Sequence, residues 1–188
     1  IVVVNLYKFE ESLKSNDIDN IIENIDIGGP TLIRSAAKNH KDCIVLTDPK
    51  DYDDLLERLE NNQVDLDYRR YLAMKAYSLT AYYDSVISRF FKDLTKKESE
   101  YKTYGLRKIE DLRYGENPSQ KASLYEDTYA KGLLKDIEIL HGKAMSFNNY
   151  NDLNVALELA KELGENSCVA LKHQSPCGAA IGENAFDA

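Results

Sequence analysis

Cysteine is scarce in this sequence, and long apolar runs are absent. The 188 residues include three cysteines, Cys43, Cys168 and Cys177, and no CxxC pair. Such an odd and widely spaced set argues against a disulfide scaffold and favours a reducing compartment such as the cytoplasm. No apolar run approaches the roughly 20 residues that span a bilayer, and no charged start followed by an apolar stretch is present. Neither a membrane helix nor a signal peptide is therefore predicted.

Positive charge is the minority charge. Lysine and arginine number 24 against 32 Asp and Glu, so the net charge is −8. This balance excludes a broad nucleic-acid surface or an electrostatic attachment to anionic lipid, although a local basic pocket for a small anion stays open. With 43% hydrophobic and 30% charged residues, the chain is predicted to fold into one or two globular domains.

The N-terminal residue is not methionine. The chain starts with Ile1-Val2-Val3-Val4, which is a β-branched run, and it ends without a closing signal at Ala188. A run of this type predicts a strand that is covered on both faces. We expect the chain to be an internal fragment of a longer protein.

Strand and helix patterns alternate over the first hundred residues, which predicts an α/β unit. Asp17 is a predicted N-cap, and Gly28-Gly29 is expected to break the chain before a helix that starts at Pro30. Apolar residues at steps of three and four predict one long helix before a charged stretch. The predicted strands are 1–5 and 43–46, and the predicted helices are 9–14, 18–25, 30–39, 51–59 and 67–94.

A domain boundary is predicted near residue 100, after the charged stretch 96–100, although this stretch also fits a solvated helix end. Beyond it, residues 112–118 read as a polar loop. A strand is predicted at 122–125, a helix at 152–163, and a buried strand at 168–171 that runs into Lys172-His173. Cys43 and Cys168 lie in apolar runs and are predicted to be core residues.

The segment 24–31 is the first candidate site. It places Asp26 before Gly28-Gly29 and a helix start, where free N–H groups favour an anion or a polarised carbonyl. Asp26 can accept or donate a proton, and Lys38 follows on the helix. An ordinary strand-to-helix turn remains the alternative. The segment has neither the GK[ST] of a P-loop nor the GxGxxG of a dinucleotide site.

Three other segments carry chemistry-bearing residues. Tyr7 follows the first predicted strand, where ligands of α/β sheets bind; a packed aromatic residue is the alternative. Arg113-Tyr114 offers donors for phosphate and a ring for stacking, or is simply part of a loop. Lys172-His173 ends a strand, and a histidine there suits proton transfer while the lysine tunes it or steadies an oxyanion. A surface histidine is the alternative reading.

A zinc deaminase is excluded by spacing. Pro176-Cys177 is not followed by the second cysteine of PCxxC, and His141 is followed by Gly142-Lys143 rather than by the pattern HxE. The scattered cysteines and histidines do not predict a metal site.

Taken together, these segments resemble a known family. In order and spacing the sequence is similar to the bifunctional purine-biosynthesis enzymes that combine AICAR transformylase with IMP cyclohydrolase, and the resemblance covers essentially the whole chain. The resemblance implies the C-terminal part of a methylglyoxal-synthase-like α/β domain at 1–100, followed by the first part of a cytidine-deaminase-like transformylase domain at 101–188. The segments that carry it are 5–9, 24–31, 36–40, 112–120, 147–152 and 172–178.

The resemblance implies the roles of residues in the first domain. It assigns cyclisation of formyl-AICAR to IMP, with loss of water, to Tyr7, Asp26 and Lys38. Lys38 is the leading group for proton transfer and oxyanion support. Nucleotide contacts, mainly through backbone or amide groups, are implied for Val4, Asn5, Ile27 and Gly28.

For the second domain, the resemblance implies formyl transfer from 10-formyltetrahydrofolate to AICAR. It makes His173 and Lys172 the catalytic pair and Arg113 and Tyr114 an AICAR-binding pair. Asn149 is a further nucleotide contact, although the alignment at Asn148-Asn149 can slip by one residue. No metal is implied.

The same resemblance implies a cytoplasmic homodimer in the parent protein and a folate site mostly outside this chain. The chain alone is expected to be inactive. Two other classes stay open from the residues themselves: a non-catalytic purine-nucleotide-binding α/β module and a purely structural α/β domain.

Overall fold

The computed structural model describes residues 1–129, 132, 134 and 137–188. Helices and strands are mixed throughout, as predicted for an α/β protein. The chain divides into two compact units, Ile1–Gly105 and Leu106–Ala188. The prediction placed a domain boundary a few residues earlier, near residue 100.

Two short parallel strands form the sheet of the first unit. Strand β1 (Val2–Val3) pairs with β2 (Val45–Leu46), with Val2 opposite Val45. Both residues of β2 are buried, but Val3 is 49% exposed. The prediction that the first strand is covered on both faces is therefore wrong. Only the face carrying Val2 and Val4 packs against the core.

Five helices follow the predicted order in this unit. They are α1 (Phe9–Ser12), α2 (Ile18–Glu23), α3 (Gly28–Lys38), α4 (Tyr52–Glu60) and α5 (Leu66–Thr95), and a 3₁₀ turn at Pro49–Asp51 precedes α4. The Asp17 cap is confirmed, because its carboxylate accepts the amides of Asp19 and Asn20. Helix α3 begins two residues before Pro30, since the predicted glycine break forms its first turn instead.

The core of the unit lies where α3 and α5 cover the strands. Small residues on both helices, Ala36, Ala37, Ala73 and Ala76, allow close approach, and larger apolar side chains such as Ile33 and Leu72 fill the remaining space. The predicted long helix is confirmed as α5, which at 1.5 Å per residue is about 45 Å long. It reaches from the core to the loop that precedes α3.

In the residues that the structure describes, the second unit has two antiparallel hairpins and one helix. Strands β3 (Leu106–Asp111) and β4 (Ser123–Asp127) pair across the predicted polar loop. Helix α6 (Phe147–Leu163) leads to β5 (Ser167–Lys172), which pairs with β6 (Ser175–Ile181). The helix begins five residues before the predicted start because Ser146 and Asn149 form a capping box. Strands β3 and β6 were not predicted.

Strand β5 is not buried as predicted. Its residues alternate between half-buried and exposed, and Cys168 is exposed. The expectation that Cys168 is a core residue is therefore wrong, because this two-stranded sheet packs α6 against one face only. Cys43 is half-buried and packs against the core of the first unit.

Candidate functional site

The Asp26 carboxylate joins the end of β1 to the start of α3. One oxygen, Oδ1, accepts the Gly29 amide at 2.7 Å, and the other, Oδ2, accepts the Tyr7 amide at 3.3 Å. An anion is favourable here, because the first turn of a helix exposes free N–H groups. A Cβ atom at residue 29 would lie 2.5 Å from Asp26 Oδ2. A larger residue at this position would therefore displace the Asp26 carboxylate and the end of the Leu6 side chain.

The backbone around Asp26 is held from a distant helix. The buried hydroxyl of Tyr83, on α5, accepts the Asp26 amide at 2.8 Å and donates to the Asn24 carbonyl at 3.2 Å. Burial raises the pKa of Tyr83, so its phenol keeps the proton that it donates. Both the backbone and the side chain of Asp26 are thus fixed by hydrogen bonds.

The other residues predicted at this site differ in their hydrogen bonds and in their exposure to solvent. The Val4 amide donates to the Leu46 carbonyl across the sheet at 3.0 Å, and the half-buried Val4 side chain packs against the core. Asn5 donates weakly to the Tyr52 hydroxyl at 3.5 Å. The Tyr7 side chain is 60% exposed and Ile27 is also exposed. Of these residues, Tyr7 contacts Asp26 through its amide, and Ile27 follows Asp26 in the chain.

Lys38 lies at the opposite end of α3. It is exposed in the last turn of the helix, where a cation is favoured by the helix dipole. Ten residues separate it from Gly28, which corresponds to about 15 Å along the axis. The structure therefore brings Tyr7 and Asp26 together and places Lys38 apart from them. A ligand touching all three would have to extend along α3.

In the second unit, Arg113 and Tyr114 form a stacked pair. The guanidinium lies 4.9 Å from the ring centroid of Tyr114, and Nη2 donates to its hydroxyl at 3.2 Å. A hydrogen bond from the Ser146 hydroxyl and then the Arg113 guanidinium lower the pKa of Tyr114. Arg113 is exposed and Tyr114 is half-buried, so a cation and a polarised phenol lie side by side.

The loop that carries this pair rests on the first turn of α6. The Arg113 amide donates to the Met145 carbonyl at 3.4 Å, and the Phe147 amide donates to the Tyr114 carbonyl at 3.3 Å. An open groove of about 320 Å³ lies beside it. The groove is lined by Gly115, Glu116, Gln120, Lys121, Ala122 and Phe147.

The structure distinguishes the two neighbouring asparagines. Asn149 Oδ1 accepts the Ser146 amide at 3.0 Å and the Ser146 hydroxyl at 2.9 Å, so Asn149 serves as a helix cap. Asn148 instead donates from Nδ2 to the Glu116 carbonyl at 3.0 Å. Of the two, Asn148 is therefore the side chain that faces the Arg113 loop.

Lys172 and His173 belong to a tight hairpin. Lys172 is the last residue of β5 and pairs with Ser175, which leaves His173 and Gln174 as the two-residue turn. Both turn residues have left-handed backbones, with φ of 51° and 61°, as a type I′ turn requires. The Gln174 amide donates to Asp152 Oδ1 at 2.7 Å. The turn that carries the exposed His173 is thereby tied to α6 through its backbone.

One face of α6 therefore connects the two predicted parts of the second site. Asn148 holds the Arg113 loop and Asp152 holds the His173 turn. These helix residues are four apart, so they lie on one face with Cβ atoms about 5–6 Å apart.

Sequence reasoning missed Tyr83, Ser146 and Asp152 as functional positions. Tyr83 was read only as part of an apolar repeat, although a buried phenol needs a polar partner. Ser146 three residues before Asn149 was an available capping signal. Nothing in the local pattern connects Asp152 with a turn twenty residues later.

Among the residues that the structure describes, no group of three or more His, Cys, Asp or Glu side chains could hold a metal ion. Within that same part of the chain, no helix is long and apolar enough to cross a membrane.

The fold and the two loop sites define an α/β protein of two units. A family model described as the AICARFT/IMPCHase bienzyme matches residues 36–188. The chain belongs to this family, as the sequence motifs predicted. The match includes both Lys38 and His173.

Curated relatives match nearly the whole chain. The bifunctional purine biosynthesis protein PurH of Clostridium perfringens strain SM101 is 48% identical over 185 residues, which cover 97% of this chain and 37% of that protein. The PurH protein of Caldicellulosiruptor saccharolyticus is 47% identical over 196 residues, covering 100% and 38%. A solved chain described as the crystal structure of ForH is 37% identical with a TM-score of 0.43, over 48% of this chain and 50% of its own. The chain thus spans little more than a third of the length of these curated relatives.

Proposed function

We propose that this chain is part of a bifunctional enzyme that transfers a formyl group to AICAR and closes formyl-AICAR to IMP. The first unit would belong to a methylglyoxal-synthase-like cyclohydrolase domain, at about residues 1–100. The second would be the start of a cytidine-deaminase-like transformylase domain, at about 101–188. The family membership and the division of the chain after Gly105 support this assignment.

Ring closure is proposed at the Asp26 site. The carboxamide nitrogen of formyl-AICAR attacks the formyl carbon, the nitrogen gives up a proton, and the resulting carbinol loses water. Asp26 accepts two backbone amides but retains lone pairs, because a carboxylate has about four acceptor sites. It can therefore still orient or receive that proton. Tyr7, whose amide is bonded to this carboxylate, would offer its exposed phenol to the same substrate.

Lys38 has a separate place in this proposal. Its long side chain would have to reach back along α3 toward Asp26, because the oxyanion forms on the same formyl carbon that the carboxamide nitrogen attacks. Val4, Asn5, Ile27 and Gly28 would contact the nucleotide mainly through backbone or amide groups. Lys38 would then support the oxyanion that forms on the formyl carbon.

Formyl transfer is proposed at the α6 site. The 5-amino group of AICAR attacks the formyl carbon, and His173 takes the proton that leaves this amine. The bond from the formyl carbon to N10 of the folate then breaks, and tetrahydrofolate leaves with a proton on that nitrogen. Lys172, which precedes His173, would steady the oxyanion that develops on the formyl group. Arg113 and Tyr114 would bind the phosphate and the heterocycle, with Asn149 or its neighbour Asn148 as a further contact.

The observation that carries this second assignment is the geometry of α6. Asn148 bonds the loop of the proposed AICAR-binding pair, and Asp152, one helical turn later, bonds the turn of the proposed catalytic pair. Substrate binding and proton transfer would thus share one rigid support.

The formyl donor is proposed to be 10-formyltetrahydrofolate, whose site would lie mostly in residues beyond this chain. No metal is assigned a role. We further propose that the parent enzyme is a cytoplasmic homodimer. These assignments rest on the family membership, and no described contact in the chain carries them.

Two substitutions in the full-length enzyme test the proposal. Lys38→Ala should abolish cyclisation and leave formyl transfer largely intact, whereas His173→Ala should do the reverse. Both steps can be followed by separating formyl-AICAR and IMP chromatographically. Matched controls are Lys41→Ala, also exposed near the end of α3, and His141→Ala, also an exposed histidine. If both test variants stopped the same step, the assignment of two sites would be wrong.

A non-catalytic nucleotide-binding module is the second candidate. It is favoured by the fixed hydrogen bonds of Asp26 and by the distance of Lys38 from it. In that case the full-length protein would bind AICAR or IMP in calorimetry without turnover. We expect the isolated 188 residues to catalyse neither step, and repeated turnover by them would overturn that expectation.

A further inference from the structure

We propose that Tyr83 is a positioning residue for ring closure, because its hydroxyl fixes the Asn24–Asp26 loop and so sets the place of the Asp26 carboxylate. This inference rests on the proposed cyclohydrolase function of the first unit. It concerns a residue of α5, outside every motif by which the family resemblance was found.

The hydroxyl of Tyr83 uses both of its hydrogen-bonding modes on one loop. It accepts the Asp26 amide at 2.8 Å and donates to the Asn24 carbonyl at 3.2 Å. These partners are 57 and 59 residues away in sequence, so the contacts join α5 to the segment between α2 and α3. A phenylalanine would fill the same space and make neither bond.

The ring of Tyr83 is fixed by aromatic packing. Phe9, which is 1% exposed, meets it edge to face at 6.1 Å, and Phe90 packs against Phe9 at 5.9 Å. Such pairs have a preferred geometry. The hydroxyl therefore sits at a defined point instead of following the loop.

The fixed loop in turn determines where the carboxylate lies. With its backbone held by Tyr83, Asp26 directs one oxygen to the Gly29 amide and the other to the Tyr7 amide. Space is limited, since a Cβ atom on Gly29 would come within 2.5 Å of Asp26 Oδ2. A small displacement of the loop would therefore misplace the carboxylate, and misplacement of a reacting group by about 1 Å can cost about 100-fold in rate.

Tyr83→Phe in the full-length enzyme tests the inference. We expect kcat for cyclisation to fall about 10- to 100-fold, with a smaller change in KM, and formyl transfer to stay within about twofold. Tyr68→Phe is the matched control. Tyr68 lies on the same helix and both tyrosines are 7% exposed, but Tyr68 contributes no bond to the Asp26 loop. Its variant should leave both steps unchanged.

A spectroscopic signal separates positioning from general destabilisation. In wild-type protein the Asp26 amide is bonded to a phenol, so Tyr83→Phe should shift its ¹⁵N–¹H resonance and speed its hydrogen exchange, whereas Tyr68→Phe should do neither. Loss of both activities together would show a merely structural role and overturn the inference. An unchanged cyclisation rate would also overturn it.

The cyclohydrolase assignment can be refuted by an experiment that does not depend on Tyr83. A wild-type enzyme that transfers formyl groups but never cyclises them would refute the cyclohydrolase assignment, and the positioning role in ring closure would fall with it. The Asp26 amide signal would then still report whether the hydroxyl fixes the loop.

Discussion

Replacing Asp152 by alanine should release the turn that carries His173. In the structure its Oδ1 accepts the Gln174 amide at 2.7 Å, and His173 and Gln174 both have left-handed backbones. Each left-handed non-glycine residue costs on the order of 1 kcal/mol. A hydrogen bond to a charged acceptor contributes about 1.5–3 kcal/mol. The free energy of this hydrogen bond is therefore about as large as the backbone strain of the two turn residues.

Without Asp152, the strained turn conformation should no longer be favoured over conformations of the turn without this backbone strain. A loss of about 1.5–3 kcal/mol corresponds to a fall of about 10- to 150-fold in the competent population, since each 1.4 kcal/mol is tenfold. The assay is steady-state formyl transfer by the full-length enzyme. We expect kcat/KM to fall within that range for Asp152→Ala, while cyclisation stays near wild type.

Two further variants isolate the cause. Asp152→Asn retains an acceptor oxygen at the same position and should keep most of the activity. Adding Gln174→Gly to Asp152→Ala should restore about fivefold, because glycine adopts positive φ without the steric cost. Wild-type activity in Asp152→Ala would refute the reasoning. So would an asparagine variant as damaged as the alanine variant.

The remaining predictions concern stability. Leu72→Ala in the buried core should lower the free energy of unfolding by about 2–5 kcal/mol in urea denaturation, whereas Leu56→Ala, at a side chain 58% exposed, should change it by about 0.5 kcal/mol or less. Ser146→Ala should cost about 1 kcal/mol by removing the cap of α6 and should speed amide exchange in its first turn. Burial raises the pKa of both Tyr68 and Tyr83. The folded state therefore holds these protons longer, and stability should fall as pH rises above about 10; Tyr68→Phe should reduce that fall.

Each of these has a clear contrary result. Equal losses of unfolding free energy in Leu72→Ala and Leu56→Ala would show that Leu72 does not lie in the core. Unchanged exchange in Ser146→Ala would show that the capping box does not stabilise α6. An alkaline unfolding curve that Tyr68→Phe leaves unaltered would show that burial of this phenol does not govern the transition.

Periodicity and capping predicted much of the first unit. The repeat that includes Leu72, Ala76 and Val86 predicted α5, because a long helix covering a core requires apolar residues every three or four positions. Asp17 was recognised as a cap because its carboxylate satisfies amides that every helix start leaves free. Local rules succeed where the determining contacts are local.

The second unit was less predictable because its strands depend on pairing. Strand β6 contains Pro176 and Gly178, which read as turn residues, yet a register shift between Ala170 and Leu171 accommodates them in the hairpin. Burial of Cys168 was inferred from an apolar run, and the exposed face of β5 contradicts it. Only pairing partners and packing elements decide such cases.

The candidate sites were predicted as separate motifs. How the residues of each site are arranged in space was not predicted. Spacing placed Asp26 before the predicted helix 30–39 and Lys38 near its end, but it gave no indication of the hydrogen bonds that hold the Asp26 carboxylate. It also left Asn148 and Asn149 unresolved, since only the capping box assigns Asn149 to the helix. The roles of Tyr83 and Asp152 depend on contacts across 57 and 22 residues, which no local pattern carries.

The central claim is that the chain contributes residues to two separate catalytic sites, and mixing two inactive enzymes tests it most directly. Full-length Lys38→Ala and His173→Ala proteins would be combined with AICAR and 10-formyltetrahydrofolate, and IMP would be quantified. Each variant alone should form almost no IMP. The mixture should form it, because formyl-AICAR released by Lys38→Ala is cyclised by His173→Ala. A mixture that forms no more IMP than the single variants would contradict the account.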